Sequence, residues 1–319
     1  MVRRLAILVA ALAAFTGGAA AQSSVPLRIL VGVQPGASTD TIARLLADKL
    51  QGSLNETVIV ENKPGAGQRI AMAELLKAPA DGRTIFLGSS AVYSIQPHIY
   101  GDRTGYDPFK DVVPLTRVVA FQVGIGASNA IGASNIKEFA AWAKANPGKV
   151  SFASPGAGSS SHFTGVMLSK ALGIPMTHVP YRGTAPALAD LIGGHIPLVF
   201  TAYSDLPEPA RAGKLKILAT AGPKRSLATP DTPTLKEQGV DIAFDVAFDM
   251  HAKAGTPPET VKRLNAALVA AIKDPEVNGK LLQLGVEPVG STPEELLRAQ
   301  EAEYKLWEEP VKDSGYTGE

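Results

Sequence analysis

The sequence contains no cysteine. Disulfides, thiolate nucleophiles and Cys-ligated zinc or iron–sulfur centres are thereby excluded, and stability must come from core burial alone. Charge of one sign is also missing, since 31 Lys and Arg face 30 Asp and Glu. Without a basic run, that balance argues against nucleic acid or an anionic membrane as partner and points to a small molecule. Histidine is sparse, and His98, His162, His178, His195 and His251 show no H-x-x-x-H or H-E-x-x-H spacing. No metal and no cofactor are expected. The chain has no G-x-x-x-x-G-K-[ST] phosphate loop, no G-x-S-x-G elbow, no heptads and no solenoid repeat. Nucleotide binding, the usual Ser-hydrolase turn and coiled-coil assembly therefore lack a sequence basis.

What is present begins with "MVRRLAILVAALAAFTGGAAAQSS". Arg3 and Arg4 precede an apolar run from Leu5 to Phe15, and small residues end at Ala19, Ala20 and Ala21. This is the layout of a secretory signal peptide over residues 1–21, with a run short for a membrane span. Cleavage is expected after Ala21, giving an exported, periplasmic protein that begins at Gln22. Losing Arg3 and Arg4 lowers the basic count from 31 to 29 against 30 acids, a net charge of −1. At 319 residues the chain is long enough for two lobes.

Strand-like apolar runs then alternate with helix-like stretches: "LRILVGV" before a helix from about Thr41 to Leu50, "TVIVEN" before "AMAELLKA", and "KVSFAS" before "TGVMLSKALG". This rhythm predicts an α/β fold in which each lobe is a mostly parallel sheet flanked by helices. The tail, from "TPPETVKRLNAAL" to "YKLWEEPV", reads as helices packing back on the first lobe, with Thr256 and Ser291 as candidate caps. Lobe one is expected over 22–125 and 250–319, and lobe two over 126–249. Trp142 falls on an amphipathic helix and reads as packing.

Two strand-to-helix turns carry small hydroxyl residues. In "VGVQPGASTDTIARLL" the strand breaks at Pro35 and Gly36, and Ser38, Thr39 and Asp40 lead into a helix. In "SFASPGAGSSSHFTGVML" a strand meets Gly156 and Gly158, then Ser159, Ser160, Ser161 and His162. A helix N-terminus offers unpaired N–H groups that either receive a cap or hold an anion. Loops at the carboxyl ends of strands in two lobes can face each other across a cleft, so the pair describes a clamp for a carboxylate. A third loop, "FLGSSAVYSIQP", presents Ser89 and Ser90.

The stretches "QPGASTDTIARLLADKL", "VIVENKPGAG", "ADGRTIFLGSS", "YDPFKDVVPLTRV", "SFASPGAGSSSH", "HVPYRGTAPALADLIGGHI", "PDTPTLKEQGV" and "AGTPPETVKRLNAAL" together resemble the Bug-type (TctC-like) receptors of tripartite tricarboxylate transporters. The resemblance spans nearly the whole chain after the signal segment. It implies a periplasmic two-lobed receptor of the Venus-flytrap kind, monomeric and without catalytic residues. Such a receptor closes on a small organic mono- or dicarboxylate and presents it to membrane permease subunits. It also implies that Ser38, Thr39, Ser159, Ser160 and Ser161 hold one carboxylate, with Ser89 and Ser90 on the third loop.

Several positions depart from the family pattern, and they leave the anchoring end kept and the specificity end rewritten. Ala37 and Ala157 replace a usual Gly and Asn, Gln68-Arg69 replace Gly-Asn after "PGAG", Thr201 stands where an acid is common, and Ala247 stands where Trp is common. The distal pocket is expected to be larger and less negative, favouring a second acidic group, aromatic dicarboxylates included, with Arg69 reaching it. His162 is expected to line the pocket, and Tyr181 and Arg182 to form its wall or a plain strand end. Two other readings share these features: a secreted α/β hydrolase using Ser160 or Ser161, and a carboxylate sensor feeding a membrane kinase.

Overall fold

The computed structural model describes residues 25–225, 227 and 230–318. The expected signal segment 1–21 and its cleavage point lie outside them. Along the first half run β1 (Leu27–Val31), α1 (Ser38–Leu54), β2 (Val58–Asn62), α2 (Arg69–Lys77), β3 (Thr84–Ser89), α3 (Ala91–Ser94), α4 (Gln96–Tyr100), β4 (Val112–Phe121), β5 (Val123–Ser128) and α5 (Ile136–Ala145). Then follow β6 (Ser151–Ser154), α6 (Ser160–Leu172), β7 (Thr177–Pro180), α7 (Thr184–Ile192), β8 (Leu198–Ala202), α8 (Pro207–Arg211) and β9 (Leu215–Thr220). The chain closes with β10 (Val246–Lys253), α9 (Pro258–Lys273), α10 (Pro275–Gln283), β11 (Glu287–Pro288) and α11 (Pro293–Ser314).

The strands form two sheets, one per lobe, ordered β11-β4-β10-β3-β1-β2 and β7-β6-β8-β5-β9. The α/β class and the two lobes follow the expectation, but the sheets are mixed rather than mostly parallel. Only β2-β1-β3 and β7-β6-β8 pair in parallel, and the remaining partners are antiparallel. The reason is the connection. No crossover helix separates β4 from β5, and β10 returns into the middle of the first sheet between β3 and β4.

That connection also places the site. Since β10 is antiparallel to both β3 and β4, strand β4 points the same way as β3, and Phe121 ends it on the edge where β1 and β3 end. One residue later β5 begins at Val123, paired with Ala202 at the end of β8. The carboxyl edges of the two sheets therefore face each other across Gln122. The chain changes sheet at this residue and again at Val246, somewhat before the expected bounds of 125 and 250. Gln122 is a single polar residue in an apolar run, with no turn residue to mark the exchange.

Each lobe has its own core. Ile29, Leu46, Leu87, Met250, Leu264 and Leu268 fill the first, and Ile125, Phe139, Phe152, Phe163 and Phe200 the second. Helices α9 and α10 pack on lobe one, whereas α11 belongs to both lobes. Its Leu296 is buried, and its Gln300 bonds His251 and the Pro108 carbonyl of lobe one. Two turns on, Trp307 and Val311 enter the lobe-two core, where Trp307 meets Phe244 edge-on at 4.7 Å. The cap of α11 is Thr292, not Ser291: Thr292 accepts from Glu295 N–H while Glu295 reaches back to the Thr292 N–H. Ser291 instead accepts the Arg117 N–H at 2.8 Å. Thr256 is no cap either, because Pro257 takes that position in α9 and the Thr256 hydroxyl donates to Lys253 O.

Candidate functional site

At the mouth of α1 the helix starts at Ser38, earlier than periodicity suggests, so Ser38 and Thr39 are its first two residues. Ala37 occupies the N-cap position with no side chain capping the helix. The N–H groups of Ser38, Thr39 and Asp40, and both hydroxyls, make no hydrogen bond among the described residues. The turn is stiffened from behind. Buried Asp40 accepts from Gly36 N–H (2.8 Å), Asn62 Nδ2 (2.9 Å) and Arg44 Nε (3.0 Å). Burial pushes the Asp40 carboxyl up, but the bonds from Arg44, Gly36 and Asn62 outweigh it and leave it below the ordinary value.

At the mouth of α6 the hydroxyls divide their roles. Ser159 is a true N-cap, accepting from His162 N–H (3.2 Å) and donating to Gly156 O (2.7 Å). Ser160 and Ser161, the first helical residues, keep their N–H groups and hydroxyls unbonded among the described residues. The His162 ring turns inward, 5% exposed, and its Nδ1 accepts the Gly158 N–H at 3.2 Å. It stacks on His178 with 3.7 Å between centroids, and His178 Nε2 is 2.8 Å from Ser154 Oγ. Since Ser154 donates its proton to Gly156 O, His178 must donate to Ser154. Burial, with the neighbouring His178, lowers His162 to about 4, and burial lowers His178 to about 4, so both are neutral near pH 7. No Ser–His nucleophile pair results: His162 bonds a backbone amide, and Ser154 is fully buried.

The remaining candidates scatter. Ser89 offers its hydroxyl to Ala91 N–H (3.3 Å), and its own N–H is taken by Gln68 Oε1 (3.2 Å). Gln68 holds φ 77°, a conformation suited to glycine, and covers Gly32 at the end of β1. Ser90 is buried: its N–H donates to Ala247 O (2.8 Å), and its hydroxyl is shared between Ala247 N–H and Glu303. Ala247 is 0% exposed, closed in by that turn and by Ala120 across the sheet. Arg69 lies over the Tyr100 ring (3.8 Å) and bonds Ala66 O and Arg103 O. Thr201, fully buried at the end of β8, donates to Asp205 Oδ2 at 2.7 Å and so accepts from Thr184. A carboxylate, that of Asp205, thus stands beside Thr201. The sequence marks Gln68 only as a departure from the family pattern, and Asp205 carries no signal beyond lying a turn past the end of a strand. Tyr181 donates to Asp190 (2.6 Å), while Arg182, exposed in the loop after β7, makes no hydrogen bond or ion pair among the described residues.

A family model for the tripartite tricarboxylate transporter family receptor matches residues 42–315. The chain belongs to that family. The receptor is similar to the periplasmic binding protein BugD, at 35% identity and a TM-score of 0.75 over 91% of this chain and 98% of that one. It is likewise similar to Rpa4515 of R. palustris, solved with adipate (28% identity, TM-score 0.79, 92% and 98% covered). MatC of Rhodopseudomonas palustris, solved with bound malate, is similar at 28% identity and a TM-score of 0.74, with 90% and 98% covered. Receptors of this family are periplasmic solute-binding proteins, and this receptor is a binder, not an enzyme.

Proposed function

We propose that the receptor, exported with cleavage after Ala21 and acting as a monomer, holds a small dicarboxylate between its lobes and delivers it to permease subunits of a tripartite transporter. The observation that carries this reading is the pair of first turns with unbonded N–H and O–H donors, Ser38–Thr39 and Ser160–Ser161, on carboxyl edges that face each other across Gln122. Each turn offers N–H and O–H donors and the positive end of a helix, and the two together suit one carboxylate. Ser159 shapes the second turn by capping it. Arg182 shares an edge with that turn, since Tyr181 N–H bonds Ser154 O and Gly183 N–H bonds Pro155 O. With Arg69 committed to Tyr100, Arg182 is the cation for the second acid group. Adipate and malate, found on the two relatives, are the first compounds to test.

Calorimetry on the purified receptor with adipate, malate and hexanoate decides it. Each charge-assisted bond to the carboxylate is worth ~1.5–3 kcal/mol, so Ser160→Ala should weaken every bound acid ~10- to 100-fold. Arg182→Ala should weaken the diacids more than hexanoate. The reading fails if the ligand-free receptor binds none of a broad panel of carboxylates, or if Ser160→Ala leaves every affinity unchanged.

A further inference from the structure

The end of the chain reaches the second ligand turn. Helix α11 stops at Gly315 in a left-handed conformation (φ 65°), which turns the last residues back across both lobes. The Thr317 carbonyl accepts from Arg103 at 2.8 Å, and Gly318 packs against the Tyr100 ring so closely that a side chain there would collide with it. Both partners belong to lobe one. Between these anchors and the helix, Tyr316 is laid on lobe two. A Cβ on Gly158 would stand 2.7 Å from the Tyr316 ring and 3.3 Å from Ile99, so residue 158 is gripped between the tail and α4. The Tyr316 ring also meets His162 edge-on, with centroids 5.9 Å apart.

Gly158 is the hinge of the turn: it adopts φ 75°, precedes the Ser159 cap and gives its N–H to His162. The His162–His178 stack supports the turn from within lobe two, and Tyr316 closes it from the other side. We propose that Tyr316 is a positioning residue of the lobe-two ligand turn, and that the tail from Tyr316 to Gly318 straps this turn to lobe one. The inference rests on the reading of Ser160 and Ser161 as ligand donors, but the strap itself can be tested without ligand. Tyr316 contacts Gly158 and His162 rather than the donors, so it acts on affinity by fixing where the turn stands across the crevice.

Hydrogen-exchange mass spectrometry on the ligand-free full chain reads the strap directly. In Tyr316→Ala, exchange across residues 156–163 should accelerate about tenfold or more, while β1 to β3 stay unchanged, as expected for a local opening. Tyr316→Phe keeps the ring and should restore wild-type exchange. Arg103→Ala is an exposed change that frees Thr317 without touching the turn, and should give the same effect in smaller degree even if Tyr316→Ala folds poorly. Unchanged exchange at 156–163 in Tyr316→Ala and Arg103→Ala, or acceleration spread evenly over both lobes, would overturn the strap. With adipate as probe, Tyr316→Ala should also lower affinity about tenfold. An absence of adipate binding by the wild type would count against the dicarboxylate reading, and the exchange result would still decide the strap.

Discussion

Asp40 stands in the first turn of α1, with its carboxylate turned back to the Gly36 amide and bridged to Asn62 and Arg44. Removing it leaves a backbone N–H and an amide without their acceptor, at ~1–3 kcal/mol for such a group. Asp40→Ala should therefore lower stability by about 2 kcal/mol in denaturant titration and weaken any bound carboxylate, and Asp40→Asn should recover part of the stability. The folded carboxyl titrates below its ordinary value, so its contribution is present above about pH 4 and is lost as the pH falls through the folded value. Residues of this kind were partly legible. The hydroxyls of both turns announce themselves because strand, glycine and helix start are adjacent in the chain. The burial of Ala247 and the tie between Thr201 and Asp205 depend on neighbours that only the folded sheets supply.

Among the elements, α11 departs furthest from its reading in the sequence. Its periodicity and its Thr292-x-x-Glu295 start mark a helix, yet nothing local says that Gln300 and Glu303 seat in one lobe and Trp307 and Val311 in the other. The capping box is a purely local determinant of its start. Thr292→Ala should cost about 1 kcal/mol, measurable as a small fall in melting temperature, whereas Ser291→Ala should act through Arg117 and the lobe-one sheet. The sheets show the same division. Alternating strands and helices reveal the α/β class, but the antiparallel return of β10 between β3 and β4 is a long-range pairing with no signature in its own eight residues.

For the molecule as a whole, buried titratable groups pull stability in opposite directions with pH. His162, His178 and His251 are each held neutral, chiefly by burial, at about 4 against an ordinary 6.5. The unfolded chain takes up these protons first, so stability falls as pH drops from 6.5 towards 4. Glu303 behaves oppositely. Burial, reinforced by Asp249 and opposed by Arg117, pushes it to about 7 from 4.5, so its contribution is full below 4.5 and is lost as pH rises through 7. Glu303→Gln imitates the protonated acid. Calorimetric melting should find it stabilised relative to wild type at pH 8 and little changed at pH 5, and an equal shift at both would remove Glu303 from this role. The insertion of β10 bears on folding order as well. Until residue 253 has been made, the first sheet lacks the strand that separates β3 from β4, and two unsatisfied strand edges stand where its middle should be. Lobe two waits too, for Phe244 and then Trp307 to fill its core. A chain built in this way cannot finish either lobe early: both sheets and both cores close only once most of the chain is present.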